Sequence, residues 1–265
     1  MVVAGLILAA VIGVLLGLLG GGGSILAVPV FAYVLDLDPK LAIAASFGVV
    51  GIGSLAATFS HWRGGNVDVR SALLFAAGSA TVSFAAGAWL SRLLSGSVQM
   101  IVFGVVMAVA AIFMFLGRND PDAPPPEHRR TPRELALFML MGVAVGVITG
   151  IAGVGGGFMI VPALVLLGGV PMRRAVGSSL LVIAINSFAA FVGYLLQPAI
   201  RDGLLSTTIG GIGLPLYLGA FAVLAIGGAF GGAVIGSRVP ARVLRLGFAS
   251  FLVVMATYIL VRTSV

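Results

Sequence analysis

Two glycine-rich interruptions of apolar sequence, 133 positions apart, constrain this chain more than any other feature. Gly20-Gly21-Gly22-Gly23-Ser24 runs into Val28-Pro29, and Gly153-Val154-Gly155-Gly156-Gly157 runs into Val161-Pro162. Without a gap, the same offset pairs Gly17 with Gly150, Ala42 with Ala175, Ser46 with Ser179, Ser54 with Ser187 and Ala56-Ala57 with Ala189-Ala190. The chain is a duplicated unit, and paired breaks at corresponding points of two apolar halves point to a transporter's binding site.

Composition supplies the setting. Sixty percent of the residues are hydrophobic and 9% are charged, and apolar runs recur from end to end. That pattern predicts a polytopic all-α membrane protein with mean hydropathy +1.20. The net charge of +7 does not predict a nucleic-acid partner, because its arginines are scattered through short loops rather than gathered on one soluble face. Apolar residues follow Met1 directly with no basic n-region, so the first helix is expected to be retained rather than cleaved. With no cysteine, disulfide and thiolate metal chemistry do not enter, and neither a metal nor a cofactor is expected.

Each half reads as five apolar segments. The first repeat, 1–117, has segments at 3–19, 24–35, 41–60, 70–91 and 97–117. The second, 134–265, has them at 134–151, 157–168, 174–196, 204–226 with a continuation to 237, and 244–262. Residues 118–133 form a linker whose prolines and charges make it an extended solvent loop. Segments 24–35 and 157–168 would reach only about 18 Å as helices, short of a hydrocarbon core of roughly 30 Å. They are expected to be half-helices returning from a glycine turn, giving eight full spans plus two half-helical segments, or ten segments in all.

The basic residues discriminate between two topologies. If the halves are inverted, eleven of them (Arg63, Arg70, Arg118, Arg129, Arg130, Arg133, Arg173, Arg174, Arg238, Arg242 and Arg245) share one side, and Lys40, Arg92, Arg201 and Arg262 lie opposite. Parallel repeats would divide them eight against seven. The inverted arrangement is expected, with the linker cytoplasmic and both termini outside.

Glycine permits positive φ and lets a ligand approach where a β-carbon would stand. A glycine turn opening a helix therefore offers free N–H groups at the positive end of the helix dipole, an anion site that needs no cationic side chain. Small-xxx-small spacing instead signals helix packing, and Gly142-xxx-Gly146-xxx-Gly150 and Gly228-xxx-Gly232-xxx-Gly236 are assigned to it. The tandem runs lack that spacing, so Gly20, Gly22, Gly23, Ser24, Gly153, Gly155, Gly156 and Gly157 are assigned to substrate binding, with Pro29 and Pro162 as structural hinges.

Neutral donors follow each break. Ser46, Ser54 and Thr58 share roughly one helix face, and Ser178, Ser179, Asn186 and Ser187 occupy the matching segment. Ser46, Ser54, Ser178, Ser179, Asn186 and Ser187 are expected to bind substrate, against the alternative of back-bonding to a carbonyl one turn earlier. Every Asp and Glu lies in a loop or at a segment end, which argues against a cation carrier and for an anionic or neutral substrate. His61-Trp62-Arg63 reads as an interfacial anchor, with His61 and Arg63 the candidates for a vestibule that attracts the anion.

The pattern Gly-x-x-Gly-x-Gly-Gly-(x)5-Pro, from Gly17 to Pro29 and again from Gly150 to Pro162, is followed each time by the Ala42/Ser46 and Ala175/Ser179 helix. It resembles the TauE/SafE family of sulfite and organosulfonate exporters, over nearly the whole chain. The resemblance implies export of a small sulfur-containing oxyanion, such as sulfite or sulfoacetate, across the bacterial inner membrane. Ser24 stands where the second half has Gly157, which leaves the choice of sulfur anion open. Alternatives are a permease for another small anion or a neutral solute, or an importer of the same anions. An intramembrane hydrolase lacks a base: His61 ends a segment, His128 lies in the linker, and no G-x-S-x-G occurs. Partners are thus the anionic substrate and the lipid bilayer, and the glycine-rich apolar faces suit a homodimer as well as intramolecular packing.

Overall fold

The computed structural model describes residues 2–116, 132–153, 156–166, 168–236 and 241–264. It is an all-α membrane protein. Helix α1 (Val2–Leu19) is followed by a short coiled stretch made of a 3-10 run (Gly20–Leu26), α2 (Ala27–Pro29) and a π turn (Val30–Val34). Then come α3 (Pro39–Arg63), α4 (Val69–Ala85) extended by a π turn (Ala86–Leu90) and α5 (Ser91–Leu93), and α6 (Gly96–Leu116). The second half repeats that order with α7 (Pro132–Ala152), α8 (Gly157–Leu166), α9 (Met172–Leu195), α11 (Leu214–Gly236) and α12 (Ala241–Ser264).

Local chemistry sets the ends. Pro39 opens α3 behind Asp38, whose carboxylate accepts from the Lys40 amide, and Asp68 caps α4 by accepting from the Ser71 amide and hydroxyl. In the second half the expected segment 204–226 divides. Helix α10 (Pro198–Ser206) is followed by a hairpin of β1 (Thr208–Ile209) and β2 (Ile212–Gly213), and α11 starts only at Leu214. The cause is local: Gly210 and Gly211 take φ of +58° and +82° to close a two-residue hairpin, and Pro215 suits the first turn of a new helix.

Among the described residues, four helices are long and apolar enough to cross a bilayer: 39–63, 69–93, 173–195 and 214–234. Of the α3 and α9 spans, 72% and 61% is buried inside the protein, against 39% and 33% for those of α4 and α11. Helices α3 and α9 are therefore the interior pair. Outer helices carry exposed apolar residues, such as Ile7 and Val11 on α1, Ile101 and Ile112 on α6 and Leu216 and Val223 on α11, as lipid-facing surfaces require.

Glycine spacing sets the tightest packing. A β-carbon on Gly13 would strike the Ala225 carbonyl, and one on Gly228 or Gly232 the carbonyls of Ala10 or Val14, so α1 and α11 run side by side in the same direction. Gly142, Gly146 and Gly150 press likewise on the carbonyls of Phe75, Ser79 and Ser83, making α7 and α4 a parallel pair. The packing role assigned to Gly142, Gly146, Gly150, Gly228 and Gly232 thus holds. Helix α4 also runs parallel to α9, through Ser79 to Asn186 and Gln197 to Ser91.

Helices α3 and α9 run antiparallel. Phe47 stacks on Tyr194, Gly51 faces Phe188, and His61 lies against Gly177. One end of the molecule gathers the loop after Arg63 with the start of α9, where the Asp68 amide donates to the Ser178 hydroxyl. At the other end Gly96 lies on Pro39 and Arg92 donates to the Leu196 carbonyl.

Candidate substrate-binding site

Both glycine breaks turn the chain back on the helix it has just left. A β-carbon on Gly23 would overlap the backbone nitrogen of Leu16, seven residues earlier. A β-carbon on Gly156 would lie 2.7 Å from Thr149 Oγ1, again seven residues earlier, and 2.8 Å from Val145 Cγ1. The backbones differ all the same. Gly20, Gly22 and Gly23 belong to the 3-10 run, whereas Gly153 and Gly156 take φ of +74° and +68°. Gly157 opens α8, and the Met159 and Ile160 amides both donate to the Gly156 carbonyl; Gly155 lies outside the described residues. Pro29 closes α2 ahead of the π turn, and Pro162 sits within α8 without ending it. Ser24 is buried.

The second break is held by the first half. Gly153 sits against Val28 and Ile43, and Ser46 Oγ, which donates to the Ile43 carbonyl at 2.7 Å, lies 3.4 Å from the Gly153 carbonyl. Ser179 donates to the Val176 carbonyl, the counterpart bond of the repeat. Because α3 and α9 run in opposite directions, Ser46 and Ser179 diverge from the crossing. At seven residues to each side they stand about 21 Å apart along the pair. They do not share one shell.

Their neighbours do converge. The register that sets Gly51 against Phe188 brings the Ser54 turn of α3 alongside Asn186 and Ser187 of α9. All three are fully buried, and Ser54 Oγ, Ser187 Oγ and Asn186 Nδ2 lack a hydrogen-bond partner. Thr149 Oγ1, beside the turn that starts α8, is buried and unpartnered too. A buried donor left unsatisfied costs about 1–3 kcal/mol, so a group of them needs an explanation. No described carboxylate approaches: Asp38 and Asp68 cap helices, and Asp202 pairs with Arg201 at the surface. The arrangement is neutral and rich in donors, and Thr149 stands against Gly156, the residue before α8.

Ser178, Thr58, His61 and Arg63 make the following contacts. Ser178 donates to the Arg174 carbonyl while holding the Asp68 amide, and Thr58 donates to the Ser54 carbonyl. His61 Nε2 lies 3.4 Å from the Gly17 carbonyl, and Arg63 stacks over Phe59 beside an exposed Trp62. Sequence reasoning missed Thr149 and Ser79. Ser79 donates to Asn186 Oδ1 at 2.8 Å. Thr149 offered the signal of an isolated polar residue within an apolar helix, whereas Ser79 stands among Ser71, Thr81 and Ser83 and offered none.

Residues 5–259 match the family described as sulfite exporter TauE/SafE. The chain belongs to that family. Its relatives include a probable membrane transporter protein of Xylella fastidiosa strain Temecula1, 38% identical over 67% of each chain. One of Methanocaldococcus jannaschii is 27% identical over 94% of this chain and 92% of the relative. Another, of Haemophilus influenzae, is 27% identical over 95% of each. No solved structure matches. Family and relatives together make the protein a multi-pass membrane transporter.

Proposed function

We propose that this transporter exports a small sulfur-containing oxyanion, sulfite or an organosulfonate, across the bacterial inner membrane. The anion is held at the α3–α9 crossing by Ser54, Asn186, Ser187 and Thr149 together with the N-terminus of α8. The observation that carries the reading is the set of buried donors without acceptors beside a helix N-terminus. Oxyanion oxygens supply the missing acceptors, and the helix end favours negative charge. With the cell interior negative, outward movement of one negative charge gains about 2.3 kcal/mol per 100 mV, so export can proceed without a coupled ion.

The reading includes inverted repeats. It is supported by the antiparallel run of α3 and α9, by the parallel pairs α1–α11 and α4–α7, and by the division of charge. Arg63, Arg173 and Arg174 gather at one end and Lys40, Arg92 and Arg201 at the other, and the first end faces the cytoplasm. Because the chain has no cysteine, single-cysteine labelling tests this directly. Thr208→Cys should react with an impermeant maleimide on intact cells and Arg173→Cys only after lysis; the reverse pattern inverts the orientation.

Transport is tested in liposomes under an imposed potential, recording current and sulfite or sulfoacetate flux with and without a pH gradient. Potential-driven current without a pH gradient is expected. Flux only with a proton or Na⁺ gradient would require a coupling site elsewhere, and the absence of any sulfur-anion flux would overturn the reading.

A further inference from the structure

We infer that Ser79 is a positioning residue that holds the Asn186 carboxamide with its N–H groups toward the substrate, so that the central site selects an unprotonated oxyanion head. This rests on the transport reading above. A carboxamide carries an acceptor on one side and two donors on the other, and turning it over reverses what it offers. Here Ser79 Oγ donates to Asn186 Oδ1 at 2.8 Å, both residues are fully buried, and Asn186 Nδ2 has no partner. With its oxygen occupied, the amide presents donors alone.

Ser79 makes a cross-helix hydroxyl bond from α4, as Ser83 does to the Gly146 carbonyl of α7. Thr81 and Ser91, on α4 and its continuation, turn their hydroxyls onto the Ala77 and Gly87 carbonyls four residues earlier, the common habit of such side chains in membrane helices. Ser79 instead directs its proton across to α9.

The device exists at only one of the two places that the repeat relates. The repeat offset matches Asn186 with Gly53 and Thr149 with Leu16. Gly146 lacks a side chain over the Ser79 backbone just as Gly13 lacks one over Ala225, so Ala225 is the packing counterpart of Ser79. Leu16 and Ala225 both lie against Gly53. Where one place sets Ser79 of the first half beside Asn186 and Thr149 of the second, its counterpart sets Ala225 of the second beside Gly53 and Leu16 of the first. At this place the anion head therefore meets the donors of Asn186 and Thr149, and the matching place around Gly53 and Leu16 is apolar. A sulfonate, or sulfite without its proton, supplies acceptors only and satisfies such a site. A head bearing its own N–H or O–H sets donor against donor at Asn186.

The test uses the full-length protein in liposomes, with methanesulfonate as substrate and methanesulfonamide, its neutral N–H-bearing isostere, as competitor. In the wild type, methanesulfonate flux is expected to be unaffected by excess methanesulfonamide. Ser79→Ala frees the amide to turn. KM for methanesulfonate should rise about tenfold with Vmax little changed, and methanesulfonamide should begin to compete; Ser79→Thr should restore both properties. Thermal melting in detergent confirms that each variant is folded. An Ser79→Ala protein that melts normally and keeps wild-type KM and selectivity overturns the assignment, as does one that loses only Vmax in proportion to folded protein. If the wild type moves neither methanesulfonate nor sulfite, the transport reading itself has failed.

Discussion

Gly20–Gly23 and Gly153–Gly157 begin as the same stretch of sequence written twice, yet they fold by different means. The first stays in a 3-10 run without a positive φ, and the second passes through two left-handed glycines. Both bring a glycine onto the incoming helix seven residues back, at Leu16 and at Thr149. Glycine is thus required in both halves for close approach, and in the second also for its conformational freedom. The comparison teaches that duplication reproduced the path of the chain and not its chemistry, because the residue met by the returning chain is apolar in one half and polar in the other.

The largest expected effect separates the two breaks. Gly23→Ala drives a methyl group into the Leu16 backbone, which cannot step aside, and should cost about 3 kcal/mol or more. Gly156→Ala meets side-chain atoms of Thr149 and Val145 and not backbone, and adds left-handed strain of about 1–2 kcal/mol. Melting in detergent should rank Gly23→Ala well below Gly156→Ala; the opposite order would break the comparison.

Next in size is Asn186→Leu, which removes the central donors from the second half. Sulfur-anion flux should fall by about 10- to 100-fold while the melting temperature holds or rises. A matched loss of fold and flux would make Asn186 a structural residue.

Ser54→Ala and Ser187→Ala, one in each half, delete hydroxyls that have no partner in the protein. Each should leave stability unchanged or raise it by up to about 1 kcal/mol and weaken substrate binding by about tenfold, as read by isothermal titration. A larger penalty at Ser187 than at Ser54 would sharpen the picture of a one-sided site.

The smallest effects belong to Ser46→Ala and Ser179→Ala, whose hydroxyls already serve the Ile43 and Val176 carbonyls. Stability should change by less than about 1 kcal/mol and flux by less than about threefold. A strong flux defect at either would move substrate contact outward, to the breaks themselves.

Much of the fold was legible because the signals were local or periodic. Apolar runs marked the spans to within a few residues, and four-residue glycine spacing marked the faces where α7 meets α4 and α11 meets α1. The hairpin at Gly210-Gly211 was missed because Leu204–Ser206 and the stretch after Ile212 are both apolar enough to read as one segment; two glycines and Pro215 divide them. Of the proposed site, Ser54, Asn186 and Ser187 could be named in advance, being polar residues in apolar helices. Their separation from Ser46 and Ser179 could not, since it depends on the direction in which α3 meets α9.

What the sequence determined by itself was the solvent, the duplication and the places where the helices break, because hydropathy, spacing and glycine content act within a few turns of chain. Which buried hydroxyls have partners, which way the Asn186 amide faces, and that Ser79 reaches Asn186 while Ser46 turns to Ile43, were decided by the tertiary structure alone. A hydrogen bond between residues 107 positions apart exists only once α4 and α9 have packed, and no local propensity encodes it.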